Sequence, residues 1–381
     1  MTKEEQELRE AITRLDKKEF GLYFYTVDSH GNALAAIANI YEHVKTLNGL
    51  GYNAVVLHDK TEYVGVADWM GQEYADLPHM SLESQQLRIG GSDFIIIPEV
   101  FAKMMDQVKN LPAKKIVMVQ AYDYILELID VGITWAHFGV KDAICTTEKG
   151  SQYVKSLFPS TNTEIIPVAI PEFFKGSDKP RIPEVAIMAR DQQVAAKIIK
   201  SFYLQYPMYK WVGIPEVRGL SREQAAERIG KSCLAVWVDD ISGFGTFPLE
   251  CMEAGTPVIG KIPNLVPEWM EKTNQDGSKV IINNGVWTSD LLNIPELIAK
   301  YLQAWLEDNE PQEIIDEMKA STGQYTSEKR DTAIETVYAK FVNNRKEELG
   351  EIADQFAEAE AKEVEKQATL QNEQRWTKLQ T

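Results

Sequence analysis

The sequence predicts an α/β protein built from two Rossmann-like, doubly wound domains followed by a helical C-terminal extension. Three observations predict it. Strand-length apolar runs, rich in β-branched residues, alternate with helix-length amphipathic segments. The alternation stops at a polar, proline-bearing stretch and then restarts with the same grammar. The length of 381 residues suits two domains better than one.

Taken in order, residues 1–19 read as a polar, charged helix with Leu8, Ile12 and Leu15 on one stripe. LYFYTV (22–27) predicts a strand and ALAAIANIYEHVKTLNGLG (33–51) an amphipathic helix with a glycine stop. NAVVLHD (53–59), SDFIIIPE (92–99) and KKIVMVQ (114–120) predict further strands, the last two apolar enough to be buried on both faces of a parallel sheet. DAICTTE (142–148) and TEIIPVAIP (163–171) continue the series. GSDKPRIP (176–183) reads as a linker. The second series then runs EVAIMAR as strand, a helix through Tyr206, YKWVGI as strand, SREQAAERIGK as helix, LAVWVDD (234–240) as strand, and TPVIGK (256–261) as strand. Beyond residue 290 the chain turns helical and polar. The expected divisions are 1–19, 20–175, 176–325 and 326–381. The tail over 343–381 reads as a solvated helix, and it is the surface expected to serve any oligomer or partner.

Composition excludes several classes. Hydrophobic residues make up 44% and charged residues 25%, a balance that supplies a core. No apolar run approaches the ~18–20 residues of a membrane span. The opening MTKEEQELRE has no apolar stretch, so no secretory signal is expected. Cys145, Cys233 and Cys251 are widely spaced and odd in number, which fits a reducing, cytoplasmic setting. The net charge of −17 argues against gripping a nucleic-acid backbone, but not against a local pocket for one diphosphate.

The stretch SGFGTFPLECMEAGTPVIG (242–260) carries the chemistry. It follows a strand and opens a helix. Gly243 and Gly245 allow close backbone approach and leave amides free at a helix N-terminus, which stabilises negative charge. Glu250, one to two turns in, can accept a pair of hydroxyl hydrogen bonds. These residues describe a strand–turn–helix site for an anionic or polyhydroxylated ligand; the alternative is a tight βα turn that binds nothing.

This segment resembles the signature of retaining GT-B glycosyltransferases, E-G-F-G-x-x-x-x-E-A-M-A-x-G-x-P-V, in which the first glutamate contacts the transferred sugar and the second the ribose. The resemblance implies two domains facing across a cleft and a last helical segment that returns to the first domain. Glu250 matches the second glutamate; Ser242 stands at the first. Gly243, Phe244, Gly245 and Thr246 match the turn that faces the donor. PEVAIMARD (183–191) resembles the strand ending in a basic pair that holds the diphosphate. Arg190 matches its first member, Asp191 replaces the second, and Lys197 is the candidate to restore the charge. Segments 220–240 and 262–270 resemble the elements on either side of the signature. In the first domain, Gly31 and Asn32 lie at the first βα turn, where they are either donor-facing amides or an ordinary turn. His30, Gln120 and Tyr122 are the acceptor-side candidates. The resemblance implies metal-independent transfer of a hexosyl group from a nucleoside-diphosphate sugar to a glycan or protein, with retention and with Arg190, Ser242 and Glu250 at the reacting end. No separate cofactor is expected.

Two other readings remain: a glycosyltransferase-like binding or structural subunit without catalysis, raised by Ser242 and Asp191, and glycosylation of modified DNA bases, disfavoured by the charge. Asp239 and Asp240 read as a strand end rather than a metal pair. His30, His43, His58, His79 and His137 show no metal-ligand spacing.

Overall fold

The computed structural model describes Ile12 and residues 15–176, 180–240 and 244–379. Seven parallel strands form the first sheet: β1 Gly21–Tyr25, β2 Asn53–His58, β3 His79–Ser81, β4 Phe94–Pro98, β5 Lys114–Val119, β6 Val140–Cys145 and β7 Asn162–Ile165. Their order is β3-β2-β1-β4-β5-β6-β7, so the chain reverses direction between β1 and β4. A crevice at such a switch point, beyond the C-terminal strand ends, is where open α/β sheets bind ligands. β1, β4 and β5 are apolar on both sides, because helices and the C-terminal helix cover both faces.

The second sheet has four parallel strands in the order β13-β10-β9-β8, from β8 Ile182–Ala189, β9 Ser232–Val238, β10 Val258–Lys261 and β13 Val286–Thr288. A separate antiparallel pair, β11 Glu271–Thr273 and β12 Lys279–Ile281, follows β10. Both sheets are doubly wound, as the alternation predicts. The long helix Ser327–Leu379 starts beside the second domain and packs Ile334, Val337, Tyr338 and Phe341 into the core of the first. It is the returning helical extension.

Four expectations change. TEIIPVAIP (163–171) is a strand only as far as Ile165, where β7 ends. YKWVGI is not a strand: Pro207–Tyr209 forms a 3-10 turn, Trp211 is more than half exposed, and only Gly213 and Glu216 make isolated bridges to β8. Pro207 and Pro215 remove amide donors on both sides of the segment, so a continuous ladder cannot form. The linker over 176–183 is shorter than read, since Ile182 and Pro183 already belong to β8; residues 177–179 lie outside the described residues. Most of the expected N-terminal helix also lies outside them, and its last part, Lys17–Glu19, is a 3-10 turn capped by Asp16. β3, β11, β12 and β13 were not legible in the sequence: each has three residues, too few for a periodicity. Among the described residues no helix is long and apolar enough to cross a membrane.

Candidate functional site

β9 leads into the glycine turn and then into the helix Thr246–Glu253. Gly245 has φ +68°, and a Cβ there would lie 2.8 Å from the Trp237 ring, so both the backbone and the space demand glycine. Ser242, expected at the sugar-reading position, and Gly243, expected in the donor-facing turn, lie outside the described residues. Phe244 points inward: its carbonyl accepts the Trp269 indole N–H at 2.5 Å and its ring meets Tyr325 edge-on. Phe244 thus anchors the turn by packing.

Thr246 and Glu250 stand one helical turn apart on the cleft-facing side and line a cavity of about 480 Å³ between the domains. Burial pushes the Glu250 carboxyl up to about 7, against the lowering effects of the Arg222 charge and a hydrogen bond from Thr246. Asn32, Leu34, Asn39, Glu42 and Trp69 supply the first domain's wall; Met188, Val217, Arg218, Leu220 and Arg222 supply the second's; Arg330 reaches in from the returning helix. The pocket is therefore locally basic within an acidic protein.

An ion network crosses this cavity. Glu42, on the helix Ala35–Gly49, meets Arg222 of the second domain at 3.0 Å, Arg330 of the returning helix at 3.2 Å, and the Tyr74 hydroxyl at 2.8 Å. Burial disfavours its charge, yet Arg330, Arg222 and the hydrogen bonds hold its carboxyl below the ordinary carboxylate value. Arg222 is fixed by its place at the start of the helix Arg222–Lys231, where Ser221 and Gln224 form a capping box. The sequence reading missed all three members. One signal was present: position 42 falls four residues after buried Ala38 on the packed helix face, where a carboxylate needs a partner.

At the end of β8, Arg190 is held on two sides. Its Nε and Nη2 donate to Asp239 Oδ1 and Oδ2 at 2.9 and 3.2 Å, and its Nη1 donates to the Tyr124 hydroxyl of the first domain at 2.6 Å. Asp191 faces solvent and caps the next helix, accepting the Gln193 amide at 2.8 Å. Lys197, further along that helix, is exposed, and neither it nor Arg190 is among the cavity-lining residues. Asp240 pairs with Lys261. Arg218 donates to the carbonyls of Ala189 and Arg190, bracing the same strand end.

In the first domain, Asp28 shapes the turn by accepting the amides of His30, Val64 and Gly65. Those bonds, against the opposing effect of burial, keep its carboxyl below the ordinary value. His30 is largely exposed at φ +49°, Gly31 follows at φ +76°, and Asn32 alone of the three lines the main cavity. Gln120 accepts from Asn39 at 3.0 Å and donates to the Ala36 carbonyl at 3.2 Å, so it supports the wall from behind. Tyr122 is buried, its hydroxyl pushed up to about 12 by burial and neighbouring carboxylates. It borders a separate interdomain cavity of about 430 Å³ with Lys149, Tyr153 and Glu271. Among the described residues no cluster of three or more His, Cys, Asp or Glu could hold a metal ion.

No family model matches the chain. It is similar to an α-1,6-glucosyltransferase of Actinobacillus pleuropneumoniae serotype 7 (strain AP76), 22% identical over 223 residues, which make up 58% of this chain and 66% of that protein. Among solved structures it is similar to a sucrose-phosphate synthase from Thermosynechococcus elongatus, with TM-score 0.59, 11% identity, and 85% of this chain and 100% of that one covered. It is also similar to the pneumococcal O-GlcNAc transferase GtfA solved with UDP and GlcNAc, with TM-score 0.57, 9% identity, and 86% and 99% covered. Those likenesses and the two facing doubly wound domains establish the GT-B glycosyltransferase fold for this chain.

Proposed function

We propose that the protein transfers a hexosyl group from a nucleoside-diphosphate sugar to a glycan or protein acceptor, with retention and without a metal. The observation that carries this reading is the cavity between the domains, walled by the start of the helix Thr246–Glu253 with Glu250 facing in. Support also comes from the glucosyltransferase relative and from the neighbour solved with UDP and GlcNAc. In this reading Glu250 accepts the ribose hydroxyls and fixes the donor, so the reacting carbon is positioned before chemistry begins. The leaving diphosphate gathers negative charge. The helix N-terminus and Arg190 stabilise it, and a leaving phosphate oxygen takes the acceptor proton. Ser242 offers a hydroxyl where a carboxylate would read the sugar. The three cysteines are free and buried, in keeping with a reducing compartment, and we place the reaction in the cytoplasm.

One observation favours a second reading, a glycosyltransferase-like subunit that binds without turnover: Arg190 is already engaged by Asp239. The two readings separate on one assay. The protein is incubated with UDP-, GDP-, ADP- and dTDP-hexoses, and released nucleotide is measured. Slow release from one donor is expected of the enzyme. A ligand at 100 times its dissociation constant adds ~2.7 kcal/mol to stability, so binding is also visible as a thermal shift. A shift without release from any donor supports the subunit reading; neither shift nor release rejects the donor site.

A further inference from the structure

We propose that Asp239 is an internal competitor for Arg190, a positioning residue whose carboxylate occupies the arginine edge that the donor diphosphate needs and so sets the affinity of the site. The proposal rests on the donor-site reading above. β8 and β9 are parallel, and their last paired residues are Ala189 and Val238. Arg190 and Asp239 are each the next residue, and the Arg190 amide donates to the Val238 carbonyl at 3.1 Å. The register alone therefore brings the guanidinium and the carboxylate side by side.

A guanidinium is a planar fork that grips an oxyanion best through two parallel N–H groups on one edge. Asp239 takes the Nε/Nη2 edge with both oxygens. Tyr124 takes a proton of Nη1, leaving the second edge incomplete. Asp239 is mostly shielded from solvent and the Arg190 side chain is 46% exposed, so screening loosens the pair only in part. A diphosphate must displace Asp239, or bind beside it and bear its repulsion.

The test compares wild type with Asp239→Asn and Asp239→Ser by calorimetry. The ligands are UDP, GDP, ADP and dTDP, each paired with its own nucleoside. Folding of each variant is checked by its thermal melt. The expected result is that the diphosphate recognised by wild type binds at least one folded variant about tenfold more tightly, while the matching nucleoside binds unchanged, because only the phosphates meet Arg190. Unchanged or weaker diphosphate binding in every folded variant overturns the proposal, and wild-type binding then leaves the donor-site reading standing. Equal tightening for nucleoside and diphosphate also overturns it. Binding by neither wild type nor variants overturns both.

Discussion

Glu99, at the end of β4, accepts the Ala121 amide at 2.6 Å through one oxygen, and its other oxygen meets no hydrogen-bond donor among the described residues. Burial raises its carboxyl to about 7, with the nearby Asp123 charge adding to the rise and backbone amides opposing it. A carboxyl raised in the fold binds its proton more tightly there than in the unfolded chain. Its contribution to stability is full below the ordinary carboxylate range and is lost as pH rises through about 7. Glu99→Gln keeps the acceptor for Ala121 and removes the charge. It should raise the melting temperature at pH 8, by roughly 1–3 kcal/mol of stability, and leave it unchanged near pH 4; a lower melting temperature at pH 8 refutes the assignment. Gly245 makes a second residue-scale case. Alanine there adds a Cβ 2.8 Å from the Trp237 ring at a positive φ, so Gly245→Ala should cost on the order of 1–3 kcal/mol in chemical denaturation. This glycine was legible, because turn chemistry announces itself in residue type. Glu42 was not, because its meaning depends on Arg222 and Arg330, 180 and 288 positions away.

The helix Gln192–Gln205 shows how an element can change the meaning of a residue. In the sequence, Asp191 looks like a charge placed against a diphosphate. In the fold its carboxylate accepts the Gln193 amide and serves as the helix cap. Two variants separate these roles. Asp191→Ala should lose about 1 kcal/mol of stability, the usual cost of removing such a cap. Asp191→Asn keeps the cap and should leave nucleotide affinity within about twofold of wild type, since the side chain faces solvent and surface charges are well screened. A large gain in affinity on Asp191→Asn would put the carboxylate in the donor field after all. At this scale the long apolar strands were legible to within a few residues, since burial on both faces leaves a continuous run. YKWVGI misled because its aromatic and β-branched residues mimic a strand while flanking prolines forbid the ladder.

Across the whole molecule, Glu42, Arg222 and Arg330 tie the first domain, the second domain and the returning helix together at the cleft. Removing the shared carboxylate leaves the largely buried Arg222 guanidinium without its carboxylate partner and Arg330 with Asp331 alone. Glu42→Ala should therefore cost about 3–5 kcal/mol and increase the radius of gyration in solution scattering as the domains part; an unchanged scattering profile and melt would show that the network holds nothing. The paired architecture was legible because the alternation runs twice. The docking of the domains was not, because single polar residues from distant segments decide it. Glu250 faces the cleft they enclose, where the donor nucleotide is proposed to bind. Calorimetry of UDP, GDP, ADP and dTDP against wild type and Glu250→Gln tests it most directly. Wild type should bind one of these diphosphates, and Glu250→Gln, still folded, should bind it at least tenfold more weakly; equal affinity of the two proteins for that diphosphate would contradict the role given to Glu250.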